Sequence, residues 1–346
     1  MKFILYYIIK AIIRAGLFFY AKKIKISGKE NIPKKGAILF AANHPNGLID
    51  PLIIASNISR KTFFLVRAAV FNNPIIAIFF DWLGMMPVYR IRDGYQQLTK
   101  NNLIFKKCRR LLHDEKTLLI FPEGTHLRKR TIRPLSKGFT RILFGALNEY
   151  PTLKIYVIPV GITFQNPSKY PSKVAINFGI PILANDFYNP KELNNSTNLI
   201  KKQVSDQLQN LSVHIPDDEN YQKKEDLLNN LQVDYTDVNN INKMIISDNY
   251  PSKKVISNNT SLLKNVIILN SLFPYLIWKK VAKKITEIEF VDTFRFGLSI
   301  ILFPLFYFIQ SYLISIFFGW NTAIIYFTTS LLLVAIYTKL TPTPTE

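Results

Sequence analysis

Two apolar stretches near the C-terminal end, about 298–319 and 322–338, constrain this chain more than any other feature. Neither carries a charged side chain, and each is close to the length a helix needs to cross a bilayer core of about 30 Å. They are joined by Gly319-Trp320-Asn321, again without charge, so the pair reads as a transmembrane hairpin. The competing reading, a buried hairpin in a soluble core, would normally place polar residues along one face. Basic residues between Lys279 and Arg295 precede the pair and Lys339 follows it, which puts both ends on the cytoplasmic side.

Residues 3–20 are apolar apart from Lys10 and Arg14, which lie four apart on one helical face. This pattern predicts a helix lying in the membrane interface, with the two charges snorkelling to head groups. A signal peptide would want a small-residue cleavage site, and Ala21-Lys22-Lys23 does not supply one. Residues 262–278 are also apolar, but Pro274 interrupts them and Lys279-Lys280 and Lys283-Lys284 follow, as in a surface-lying or shallow re-entrant segment. Lys+Arg number 44 against 23 Asp+Glu, a net charge of +21 that suits phosphate head groups, acidic lipid or nucleic acid. A hydrophobic fraction of 48% with 26 Phe leans toward lipid, and no zinc spacing or aromatic RNA-binding signature supports nucleic acid as a partner. The single cysteine, Cys108, excludes an internal disulfide, fits a reducing compartment and falls in a helical pattern as a core residue.

Between residues 24 and 190 short apolar runs recur at 37–42, 62–66, 117–121, 155–161 and 174–180, with helical patterns separating several of them. The clearest helix is Gln97 to Leu112. Strands alternating with helices predict an α/β fold, a mostly parallel or mixed sheet flanked by helices. In such folds ligands collect at the carboxyl ends of the strands. Residues 191–260 are rich in Asn, Lys and Asp, with weak helical patterns near 196–211 and 221–231, and read as a polar appendage or a partly ordered helical connector. The chain thus divides into an interfacial helix (1–23), an α/β domain (24–190), a connector (191–260), a basic membrane-proximal segment (261–295) and a hairpin (296–340).

The run 37–42 leads into Asn43-His44-Pro45-Asn46-Gly47-Leu48-Ile49-Asp50, which breaks at Pro45 and Asn46-Gly47 as a turn does. A histidine and a carboxylate around one turn at the mouth of a strand suit a base and its orienting acid. The plainer reading makes Asp50 an N-cap with Pro51 at the first helical position. A second stretch, Phe121-Pro122-Glu123-Gly124-Thr125-His126, follows the run 117–121 directly and offers a carboxylate, a glycine and a hydroxyl for a polyol and its phosphate. Arg128, Lys129, Arg130, Arg133 and Lys137 come next, a charge run that ordinarily means a solvated loop. His126 reads as a solvent-facing loop residue, with contact to substrate as the alternative, and His113 and His214 as surface residues. No metal or organic cofactor is implied, since His and carboxylates show no ligand spacing.

Asn-His-Pro-Asn-Gly-Leu-Ile-Asp-Pro followed by Phe-Pro-Glu-Gly-Thr resembles the PlsC-type glycerolipid acyltransferase superfamily. Arg67-Ala68-Ala69-Val70 and Gly84-Met85-Met86-Pro87-Val88-Tyr89-Arg90 resemble its second block, and Ile158-Pro159-Val160-Gly161 its fourth, so the blocks run in family order over 36–161. The resemblance implies a membrane-bound enzyme that moves a fatty acyl group from acyl-CoA or acyl-acyl-carrier protein to glycerol 3-phosphate or a lysophospholipid. It implies His44 as general base, Asp50 as its partner, Arg90 with Arg67 on the acceptor phosphate, and Glu123, Gly124 and Thr125 on the glycerol part, with Asn43 bracing the turn. It further implies membrane lipid as a partner and the inner membrane of a bacterium, with the catalytic domain cytoplasmic. One departure stands out: five residues separate His44 from Asp50, where the family usually has four. The longer gap, and the block Glu289-Phe290-Val291-Asp292-Thr293-Phe294-Arg295, resemble the fungal glycerol 3-phosphate/dihydroxyacetone phosphate acyltransferase branch. The alternative is a non-catalytic basic membrane adaptor with a degenerate site, for which the longer gap is the support.

Overall fold

All six residues of Ala37–Ala42 are buried, which is what an apolar run without polar alternation requires of a strand covered on both faces. The computed structural model describes residues 2–89, 96, 99–251 and 261–343. Its strands in chain order are β1 (Lys23–Ser27), β2 (Ala37–Ala42), β3 (Thr62–Arg67), β4 (Met85–Val88), β5 (Thr117–Ile120), β6 (Ile155–Phe164), β7 (Lys173–Phe178) and β8 (Ile182–Leu183). They form one eight-stranded sheet in the order β1-β7-β6-β2-β5-β3-β4, with β8 paired to β6. The pairs β6–β2, β2–β5, β5–β3 and β3–β4 are parallel, whereas β7 and β8 run antiparallel to β6, so the sheet is mixed. The carboxyl ends of β2, β3, β4 and β5 therefore lie along one edge.

The helices are α1 (Lys2–Tyr20), α2 (Ile49–Asn57), α3 (Pro74–Trp82), α4 (Asn101–His113), α5 (Gly138–Glu149), α6 (Leu193–Leu211), α7 (Tyr221–Asn230), α8 (Val238–Ser247), α9 (Ser261–Asn270), α10 (Leu272–Ala282) and α11 (Val291–Leu340). The pleat of β2 divides its side chains between two cores. Ala37, Leu39 and Ala41 pack with Cys108 of α4, Phe139 and Leu143 of α5, and Ile200, Val204 and Leu208 of α6. Ile38, Phe40 and Ala42 pack with Tyr6 and Leu17 of α1, Ile53 and Ile54 of α2, and Phe296 of α11.

The polar segment after 190 differs from a partly ordered connector. Its α6 closes one face of the sheet, and Val213, Ile215, Tyr221, Leu228, Tyr235, Val238 and Ile241 form a third core against Ala175 of β7. Widely spaced apolar residues on otherwise polar helices are enough, because each helix buries only one narrow stripe. The expected helix from Gln97 begins at Asn101 in α4, and Gln97 and Leu98 lie outside the described residues. The interruption expected at Pro274 falls instead at Ser271, and Pro274 sits in the first turn of α10, where its missing N–H costs little.

α11 is broken at Gly319, whose φ of 78° and ψ of 166° are not helical. The two limbs reverse there. Tyr20 donates to Asp292 at the start of α11 at 2.7 Å, while Thr338 near its end donates to the carbonyl of Phe19 at 2.8 Å. Asn270 reaches both limbs: it donates to Ser330 Oγ (3.0 Å), accepts from Tyr326 (2.7 Å), and its carbonyl accepts from Gln310 (3.4 Å). The segment 288–340 is long and apolar enough to cross a membrane, and only 11% of its most apolar window is buried. Lys10 of α1 turns toward the protein and donates to the carbonyl of Ile58, instead of reaching outward as expected.

Candidate active site

His44 leaves the end of β2 and its backbone is held from both sides. Asn43 exchanges two hydrogen bonds with Ile162 of β6, accepting from the amide at 2.7 Å and donating to the carbonyl at 2.9 Å. The His44 carbonyl accepts from the Leu127 amide at 3.0 Å. The imidazole stacks on the ring of Phe121, the first residue after β5, with centroids 3.9 Å apart and planes 16° from parallel. The two stretches singled out from the sequence thus meet at one strand edge.

Asp50 is the second residue of α2, with Leu48 at the N-cap, so it does not cap the helix as the plainer reading has it. Its carboxylate turns back toward β2. Oδ2 lies 2.8 Å from His44 Nδ1 and accepts from the Asn46 amide at 2.7 Å. The longer spacer therefore does not separate imidazole from carboxylate. An ionised carboxylate only accepts, so the proton belongs on Nδ1 and the lone pair on Nε2. Burial pushes the Asp50 carboxyl well above the usual range; the Asn46 amide works against this, and Glu123 and Asp292 add to it.

Glu123 and Thr125 are joined by Arg133. The guanidinium donates twice to Glu123 Oε2, at 2.8 and 2.6 Å, and to Thr125 Oγ1 at 2.6 Å, and it also reaches the Thr125 carbonyl. Burial raises the Glu123 carboxyl and Arg133 opposes the rise. Glu123 Oε1 is buried and has no hydrogen-bond partner among the described residues. Gly124 between them takes φ of 78°, and a Cβ there would meet open space. Asn43, His44, Glu123, Leu127 and Arg128 line one crevice.

The basic run is only partly a solvated loop: Lys129 and Lys137 are exposed, whereas Arg130 and Arg133 turn inward. Beside Arg133, Arg130 lies 3.5 Å over the ring of Tyr235 and donates to the carbonyls of Phe164 and Gln165, and Lys129 pairs with Asp217 at 2.7 Å. His126 is not solvent-facing either: its side chain is 10% exposed, 3.4 Å from Glu287 and edge-on to His44 at 5.8 Å. His214 accepts from the Ile132 amide at 3.0 Å, which leaves His113, half exposed, as the surface histidine of the two. Arg67 ends β3 opposite Val88 of β4, at the same sheet edge. Arg90 lies outside the described residues; Tyr89 before it exchanges hydrogen bonds of 3.0 and 2.7 Å with Asn101.

Sequence reasoning missed Arg133, hidden in a charge run, and Phe121 as the floor beneath the imidazole. It also missed Asn46, Asp292 and Thr293, which brace the turn. Asn46 is fully buried and donates to Asp292 Oδ2 at 3.2 Å, and the Leu48 amide donates to Thr293 Oγ1 at 3.0 Å. The block around Asp292 was visible as a motif, but nothing local ties it to a turn 246 positions away.

Comparison with known proteins places the chain among acyltransferase-like sequences. The Acyltransferase family profile matches residues 23–163, from β1 almost to the end of β6. Over 310 residues the chain is 25% identical to glycerol-3-phosphate O-acyltransferase 2 of Saccharomyces cerevisiae, covering 58% of this chain but only 41% of that one. It is 23% identical to the 1-acyl-sn-glycerol-3-phosphate acyltransferase of Borreliella burgdorferi, over 59% of this chain and 79% of that one. The crystal structure of the 1-acyl-sn-glycerophosphate acyltransferase PlsC from Thermotoga maritima overlaps 60% of this chain and 81% of that one, with a TM-score of 0.44 and 18% identity. Relatives from both a yeast and a bacterium give the expected bacterial inner membrane no support. Residues 23–163 of this chain thus match the Acyltransferase family, within a larger mixed α/β fold that ends in an apolar helical hairpin.

Proposed function

We propose that the chain transfers a fatty acyl group from a thioester, acyl-CoA or acyl-acyl-carrier protein, to a hydroxyl of glycerol 3-phosphate or a lysophospholipid at a membrane surface. The observation that carries this reading is the 2.8 Å contact between His44 Nδ1 and Asp50 Oδ2, at the sheet edge that also holds Glu123, Gly124 and Thr125. With Nδ1–H directed at Asp50, Nε2 takes the proton of the acceptor hydroxyl as its oxygen attacks the thioester carbonyl. The tetrahedral adduct then collapses, the carbon–sulfur bond breaks, and the imidazolium returns its proton to the departing thiolate. Asp50 stabilises the imidazolium in between. Glu123 Oε1, buried and unpartnered among the described residues, is a ready acceptor for a second hydroxyl of the glycerol part. Arg67 and Arg90 take the acceptor phosphate through charge-assisted bonds. The adaptor reading loses its support, because the longer spacer leaves the pair in contact.

The hairpin and the outward apolar residues of α1 (Ile4, Ile8, Ile12, Phe18) and α9–α10 (Leu262, Leu269, Phe273) hold the domain at the membrane, on the cytoplasmic side. The test is acyl transfer by the full chain in mixed micelles, with a radiolabelled thioester and a panel of phosphorylated acceptors. Transfer is expected, and His44→Ala is expected to lose about 10²–10⁴-fold, the usual worth of a general base. Activity retained within about tenfold would remove His44 from that role.

A further inference from the structure

Five residues separate His44 from Asp50, and the backbone groups of this turn must find partners. The Leu48 amide finds its partner in the C-terminal tail, and so does the Asn46 side chain. Asn46 is fully buried; its amide holds Asp50, and its side chain donates to the Pro167 carbonyl (2.8 Å) and to Asp292 Oδ2 (3.2 Å). The Leu48 amide starts α2 without a side-chain cap of its own and is met by Thr293 Oγ1. Gly47 lies so close to the tail that a Cβ would stand 2.9 Å from Thr293 Oγ1 and 3.3 Å from the Glu289 carbonyl. Asp292 is itself fixed from three sides. Its Oδ1 accepts from Tyr20 of α1 (2.7 Å) and from Arg295 (2.8 Å), and Arg295 also donates to the Ser168 carbonyl (2.9 Å).

We propose that Asp292 and Thr293, at the start of the apolar hairpin, are positioning residues for the His44–Asp50 pair: through Asn46 and Leu48 they hold the turn in the form that brings imidazole and carboxylate together. The proposal rests on the reading of His44 as the base. It makes the hairpin's first turn part of the site's framework as well as an anchor. A carboxylate and a hydroxyl do this because the groups to be held are N–H donors, which only acceptors can satisfy.

The experiment uses the full chain in micelles with Thr293→Val, which keeps the branched shape and removes the acceptor, and Thr293→Ser, which keeps the acceptor. Thr293→Val is expected to lower kcat tenfold or more with KM within about twofold, since misplacement by 1 Å can cost about 10²-fold. Thr293→Ser is expected to restore kcat to within about threefold. In a His44→Ala background Thr293→Val is expected to cost nothing further, because a residue that acts through His44 has nothing left to position. A Thr293→Val kcat within about twofold of the parent, or losses that multiply in the double variant, would overturn the proposal. A second readout needs no substrate: the downfield Nδ1–H proton resonance of His44, assigned by its loss in His44→Ala. It is expected to move or broaden in Thr293→Val and in Asp292→Asn; an unchanged resonance in both overturns the coupling. A moved resonance in a chain that transfers no acyl group to any acceptor would support the coupling and defeat the acyltransfer reading.

Discussion

Asp50 is fully buried, and the cost of charging it is visible in its raised carboxyl. Because the native value lies above the unfolded one, at pH between the two the folded chain holds a proton there that the unfolded chain has already released. Stability from this group is full below the ordinary carboxylate pKa of about 3.9 and falls as pH rises toward the native value. Asp50→Asn cannot titrate. Its melting temperature is expected to gain on that of the parent as pH rises from 4 upward, while acyl transfer drops by about 10²-fold or more. Parallel melting curves across that range would show that burial does not set the carboxyl. Arg133 poses the opposite case. Arg133→Met leaves Glu123 buried without its fork, and breaking a buried pair from one side costs about 3–5 kcal/mol. The urea midpoint should fall accordingly, and Arg133→Lys should recover little of it, since a point charge cannot span Glu123 and Thr125 together.

β6 and α6 meet at Gly161, where a Cβ would stand 2.1 Å from the Leu211 carbonyl oxygen. The obstacle is backbone at the last turn of α6 and cannot rotate away. Gly161→Ala is therefore expected to cost about 3 kcal/mol, the upper end for overpacking, and a thermal melt unchanged within 1 °C would refute this. The strands around this junction were legible as short apolar runs, since burial on both faces of a sheet leaves little room for polar residues. β1 and β4 were not singled out. β1 is Lys-Ile-Lys-Ile-Ser at the sheet's margin, and β4 is four residues interrupted by Pro87, too short and too mixed to stand out as periodic. The helices after 190 are hard to read from sequence because they are polar except for a stripe of one residue per turn. What that stripe covers depends on β6 and β7, far away in the chain.

At the scale of the whole molecule, the hairpin and α1 share one end. Asp292, Thr338 and Lys339 all bond to residues 18–21, so both limbs of α11 leave and return beside the C-terminus of α1. Residues 298–318 extend about 32 Å at 1.5 Å per residue, against about 30 Å of hydrocarbon. If the proposed hairpin crosses fully, its tip emerges on the face away from the catalytic domain. Trp320→Cys, made in a Cys108→Ala background, is then expected to react with an impermeant maleimide only from that far face of sealed vesicles. Labelling from the catalytic side would mean a re-entrant hairpin. Cys108 itself is buried, with its thiol pushed up to about 12, so the replacement removes background without touching a reactive group.

The sequence by itself determined what is periodic or local: a strand buried on both faces, a tight turn bearing a histidine and an aspartate, and two apolar stretches of about bilayer length that meet at Gly319. Tertiary structure alone decided that five intervening residues still leave His44 and Asp50 2.8 Å apart. Closing that turn takes partners from Ile162, Pro167, Asp292 and Thr293, and such pairings leave no periodic trace in the chain. They arise because buried N–H groups must be met by acceptors, wherever along the chain the fold can bring them.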